Sequence, residues 1–335
     1  MSLIYSPTMM LTFSSLILST LMAMSSANWI LLWGAMELNL LSFIPIVLQS
    51  KTHQEVEGSV KYFLAQALGS ALLLTSSSSL WMPFSPTPNI LPILLTTSLL
   101  LKLGSVPCHF WYPSVMASIS WTSCLILSTW QKFAPLSILA FLLPQKNMQF
   151  IVAAAGISAL LGGVMGMNQT QMRTIMAYSS IGHIGWMLSL IVVSKPVAAI
   201  SYFLVYSMLI APLFMIMNYY NIHHISHMNI ASSYNMILHM SMLMLLMSLG
   251  GLPPLTGFMP KFLTILLLTE TMKILAFLLI LGSVMNLFFY LNIVINSMLM
   301  NPSLNIKIPM SKSVSSNPIT VLSLASLGLS PLILM

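Results

Sequence analysis

Apolar runs follow one another along almost the whole chain, separated by polar stretches of only a few positions. A helix needs about 20 apolar residues to cross a bilayer. That length places eleven spans, at roughly 6 to 25, 29 to 49, 58 to 80, 90 to 110, 119 to 142, 148 to 167, 172 to 193, 197 to 217, 234 to 268, 274 to 299 and 317 to 335. The connections leave no room for a soluble domain. The pattern predicts an all-α polytopic membrane protein whose residues 1–335 form one membrane domain.

Two of the runs carry helix breakers in their interiors. The ninth contains SLGGLPPLTGFMPKF, Ser248 to Phe262, with Gly250, Gly251, Pro253 and Pro254. Adjacent prolines remove two backbone donors, so the carbonyls near Leu249 to Leu252 lose their intrahelical partners. Backbone freed in this way is tolerated at membrane depth only against protein or a water-filled cavity, and Lys261 follows directly. The fourth run breaks similarly in LKLGSVPCHFWYP, with Lys102, Gly104 and Pro107. Spans 4 and 9 are therefore expected to be discontinuous. Pro107 and Pro253 are as far apart in the chain as Glu37 and His183. Five spans per half, an odd number, would reverse the second half in the membrane. This gives an inverted repeat of spans 1–5 (about 6–142) and 6–10 (about 148–299), with 300–335 supplying a loop and a final span.

Composition sharpens this picture. The chain is 58% hydrophobic and 4% charged, against roughly a quarter charged in soluble domains. The net charge of +7 comes from 11 Lys and Arg against 4 acids, with no Asp. The bases are scattered, which argues against a nucleic-acid surface. Cys108 and Cys124 lie in apolar sequence without metal-ligand spacing and read as small core residues. Thirty Met beside the single Arg173 suggest organellar coding, in which AUA is read as Met. Loops after even-numbered spans carry Lys51, Lys61, Arg173, Lys307 and Lys312, whereas those after odd-numbered spans carry Lys146, Lys195 and Lys273. This bias puts the N-terminus on the inner side and the C-terminus outside.

The few ionisable residues within spans carry the chemistry: Glu37, Lys102, Lys132, Lys261 and, with them, His183. A charge at the bilayer centre costs several kcal/mol. Three buried lysines against one buried acid fit a lateral proton relay through bound water better than balanced structural ion pairs. His109, beside Pro107, either gates access to the first break or anchors an interface. His223, His224 and His227 read as a solvated loop rather than a metal site. No phosphate-binding loop, nucleotide fingerprint, haem or iron ligand set is present, so redox chemistry and any cofactor are expected to lie outside this chain.

The strings LLWGAMELNLLSFIP, KYFLAQALGS, LKLGSVPCHFWYP, TWQKFAPLSIL, MNQTQMRTIMAYSSIGHIGWM and SLGGLPPLTGFMPKF, in this order, resemble the mitochondrially encoded, antiporter-like chain 2 family of respiratory complex I. The likeness runs from about Asn28 to Tyr290. It implies that Glu37 is the family's intramembrane glutamate, Lys102 and Lys261 the lysines of the two broken helices, and Lys132 the central lysine. It further implies a proton-translocating subunit of NADH:ubiquinone reductase in the mitochondrial inner membrane, driven by quinone reduction elsewhere. FMN, iron-sulfur clusters and ubiquinone would be bound by other subunits. The implied partners are chains 4, 4L and 6, the lateral helix of chain 5, nuclear-encoded accessory subunits and lipids. A stand-alone cation/proton antiporter subunit and a non-transporting membrane scaffold are the alternative readings.

Overall fold

A computed structural model describes residues 7–50, 52–80, 90–142, 148–228, 236–299, 323 and 325–327. In chain order its helices are α1 (Pro7–Ser25), α2 (Trp29–Val47), α3 (His53–Leu80), α4 (Ile90–Leu103), α5 (Trp111–Ser118), α6 (Trp121–Ser128), α7 (Trp130–Leu142), α8 (Met148–Met167), α9 (Met172–Val192), α10 (Pro196–Tyr219), α11 (Met236–Gly250), α12 (Phe258–Thr271) and α13 (Lys273–Leu299). Among the described residues seven helices, with α6 and α7 taken together, are long and apolar enough to cross a membrane, and α4 and α11 are shorter apolar pieces. The first ten predicted spans thus each have a helical counterpart among the described residues. Most of the eleventh, with Lys51, Lys146, Lys307 and Lys312, lies outside them.

The two predicted breaks are present, between Leu103 and Trp111 and between Gly250 and Phe258. The fifth span, expected to be continuous, is also interrupted, at Thr129 (φ −110°, ψ −75°). The Thr129 hydroxyl donates to the Leu125 carbonyl at 2.7 Å, beside its own backbone N–H at 3.0 Å. Such back-bonding competes with the regular ladder and bends helices. Lys132 stands three residues beyond this kink. The third span begins earlier than position 58, because the turn from His53 is held by polar side chains, including the exposed Glu57–Lys61 ion pair at 2.6 Å.

Helix α9 is the centre of the bundle, with nearly every side chain buried. It packs most extensively on α8, which also carries α13 on another face. The close approach of α8 and α9 depends on Gly162, where a Cβ would sit 2.7 Å from the Gly182 nitrogen and the Tyr178 oxygen. Small residues allow helices in lipid to meet at backbone distance. Outward faces remain apolar, as on α1, where Leu11, Leu18 and Leu21 are exposed.

Candidate proton-relay site

The first break is sealed by side chains. Helix α4 stops where Gly104 turns with φ +72°. The Leu100 carbonyl accepts from the Ser105 N–H and hydroxyl at 3.1 and 3.2 Å, Leu101 from the Trp111 indole at 3.0 Å, and Lys102 from the Gln66 amide at 3.2 Å. With the backbone satisfied by others, the Lys102 side chain lines an internal cavity of about 20 Å³. That volume accommodates an ordered water.

The same cavity is lined by Asn39, Tyr62, Gln66, Gln131 and Lys132. Tyr62 donates to the Gln131 carbonyl oxygen at 3.3 Å. Among the described residues Asn39 Oδ1, Gln131 Nε2 and Lys132 Nζ are buried without a hydrogen-bond partner, and the Lys132 ammonium instead lies 4.3 Å from the centre of the Tyr112 ring. A cation over an aromatic face gains of order 1 kcal/mol, and more when desolvated. Orphaned buried polar atoms around a water-sized cavity are where bridging water is expected. Glu37 lies outside this cavity, half-buried on the next face of α2, although its charge acts on Lys102. Among the described residues Glu37 makes no ion pair.

The second break is sealed differently. Gly251, at φ +88°, ends α11 two residues before the first proline. Pro253 and Pro254 lack the N–H groups that would have reached the Leu249 and Gly250 carbonyls in a continued helix. The Lys261 ammonium takes both places, donating to each carbonyl at 2.9 Å. Of the two surroundings open to the freed backbone, protein or a water-filled cavity, these carbonyls meet protein, because the lysine contacts them directly.

His183 is buried on α9. Its Nδ1 is 2.9 Å from the Tyr202 hydroxyl, its ring packs 5.0 Å from that of Tyr206, and the charges of both Lys132 and Lys261 reach it. Lys102 and Lys132 therefore share one cavity, and His183 lies within the fields of Lys132 and Lys261. His109 is not part of that cavity: it is buried against Phe110 at 4.2 Å with Nδ1 unpartnered, while Phe110 is exposed. Arg173 fastens one end of the bundle, donating to the Ala117 and Ile119 carbonyls and lying 2.7 Å from His223 Nδ1.

Residues 26–287 match the family described as NADH:quinone oxidoreductase/Mrp antiporter, TM. NADH-ubiquinone oxidoreductase chain 2 of Lumbricus terrestris is 64% identical over 335 residues, the full length of both chains. The chain belongs to the NADH-ubiquinone oxidoreductase chain 2 family. As a chain 2 it is an antiporter-like membrane subunit of complex I, related to the Mrp antiporters. The fold is shared with respiratory complex I of Thermus thermophilus (TM-score 0.84, 21% identity, 98% of this chain and 77% of that one). It is shared as well with the Mrp complex of Dietzia sp. (TM-score 0.77, 15% identity, 95% and 73%).

In this chain the uncharged polar residues of the site escaped sequence reasoning, among them Asn39, Gln66, Tyr112, Gln131, Tyr202 and Tyr206. One signal was available, because Tyr62 and Gln66, and Tyr202 and Tyr206, are spaced i, i+4 and must share a helix face.

Proposed function

We propose that this chain moves protons through a buried relay of Glu37, Lys102, Lys132, His183 and Lys261 with intervening water, powered by quinone reduction in other subunits of the complex. The observation that carries this reading is the pair of ammonium groups, Lys102 and Lys132, on one small cavity where, among the described residues, Asn39 Oδ1 and Gln131 Nε2 are orphaned. A structural ion pair would bring an acid into contact, and among the described residues none contacts these lysines. Buried cations without a counter-ion are costly to keep unless they exchange their charge. The gap between Lys102 and Lys132 is then crossed by water, and His183 links Lys132 to Lys261. His109 is an auxiliary group at the first break.

The same reading takes the chain as two inverted halves, 6–142 and 148–299, in the mitochondrial inner membrane, with the N-terminus facing the matrix and the C-terminus the intermembrane space. Its exposed apolar faces meet lipid, chains 4, 4L and 6, the lateral helix of chain 5 and accessory subunits. Flavin and iron-sulfur redox chemistry stays in other subunits. Lys132→Met, which keeps length and removes the charge, is the test. The assembled complex in sealed vesicles should lose most of its proton translocation per NADH. An assembled variant with wild-type proton yield and rate would exclude the relay and favour a scaffold role.

A further inference from the structure

A tyrosine stands against each of Lys132 and His183. Tyr112 of α5, whose ring underlies the Lys132 ammonium, and Tyr206 of α10, whose ring packs on His183, both direct their hydroxyls toward Ser180 of α9. All three residues are at most 2% exposed. Among the described residues neither phenol closes a hydrogen bond. Ser180 donates its own proton to the Ala177 carbonyl at 2.6 Å, which leaves its oxygen as an acceptor facing the two phenols. Ser180 and His183 are three residues apart on α9, and Tyr202 and Tyr206 four apart on α10, so each pair shares a face. Buried hydroxyls are almost always satisfied, and two phenols converging on one serine without closing the contact mark a place where a water completes the network.

We infer that Tyr112, Ser180 and Tyr206 form a hydroxyl node that passes protons between Lys132 and His183. The inference rests on the relay reading above and names the groups that close its central gap. In one passage a proton leaves the Lys132 ammonium and one arrives on the His183 imidazole. Each hydroxyl between gives up one proton and receives another, so no charge remains on a phenol. Tyr112 has a double role, since its ring supports the cation while its hydroxyl accepts the proton.

Tyr112→Phe and Tyr206→Phe remove only the hydroxyls and keep both rings, including the surface beneath Lys132. In the assembled complex each should lower NADH:ubiquinone reductase activity and coupled proton transfer roughly three- to tenfold. The solvent deuterium isotope effect should rise as proton passage becomes limiting. The double variant should lose no more than the stronger single one, because both changes act on one step. Wild-type rate and isotope effect in the double variant would overturn the node. So would losses that multiply, accompany a lower melting temperature and leave the isotope effect unchanged. Lys132→Met and Glu37→Gln, measured alongside, separate the two levels: if they block transfer while the Phe variants do not, the node falls and the relay stands. If all four are silent, the relay falls and takes the node with it.

Discussion

Gly251→Ala places a single methyl group at the centre of the second break. Gly251 has φ +88°, a conformation that costs an L residue about 1–2 kcal/mol. The added Cβ would stand 2.9 Å from Lys261 Cδ and Nζ. The ammonium would have to move, and it is the donor to the Leu249 and Gly250 carbonyls, both at 2.9 Å. Hydrogen bonds to charged groups contribute roughly 1.5–3 kcal/mol each. Losing one of them with the backbone cost therefore destabilises this region by about 2.5–5 kcal/mol. Gly250→Ala is the matched control, since a Cβ there meets nothing nearer than 3.7 Å. Thermal melting of the purified complex, with proton yield per NADH in sealed vesicles, reads both effects. Gly251→Ala should lower the melting temperature and the proton yield while Gly250→Ala stays near wild type. Equal behaviour of the two variants would refute the view that Lys261 is held by this helix end.

Glu37→Gln should assemble and lower quinone reductase activity roughly tenfold, equivalent to about 1.4 kcal/mol on the limiting barrier. Glu37→Asp should retain more, and equal rates and proton yields for Gln, Asp and wild type would make Glu37 structural. Pro253→Ala with Pro254→Ala should leave assembly intact, because Gly251 has already ended the helix. The restored N–H groups would compete with Lys261 for its two carbonyls, so proton yield should fall, and an unchanged yield would reduce the prolines to packing. Burial first, then the charges of Arg173, His227 and His224, holds the loop residue His223 below the usual histidine value of 6.5. Its neutral form is the one that meets Arg173, so the loosened loop binds protons more readily. The contact is then fully formed above pH 6.5 and weakens as pH falls below it. Hydrogen exchange at residues 222–224 should accelerate below that pH, and a flat profile would contradict this.

Helix positions were legible because apolar length is a coarse property, set by the bilayer rather than by neighbours. Both major breaks were legible too, since Pro253 and Pro254 must cost their helix two donors wherever it packs. Thr129 was not, because a threonine in a span either continues the helix or back-bonds to it, and only packing decides. Most span serines, such as Ser42 and Ser158, bond to a carbonyl of their own helix and never meet the relay. Nothing local distinguishes them from Ser180, which does the same and still faces two phenols. Glu37 shows the opposite limit: its charge marked it at once, but its helix face, which sets it beside the cavity rather than in it, depends on how α2 packs.

A lysine ammonium has three N–H groups and no acceptor. At position 261 two of them are committed to the Leu249 and Gly250 carbonyls, which leaves one to spare. When that third proton departs, the remaining amine still has two donors, as many as the helix end requires. Charge can therefore come and go at Lys261 while the broken helix stays closed. A carboxylate there would set acceptor against acceptor, and even the protonated acid would bring one donor to two carbonyls, so an acid that cycled its proton would leave one carbonyl bare in one state and both in the other.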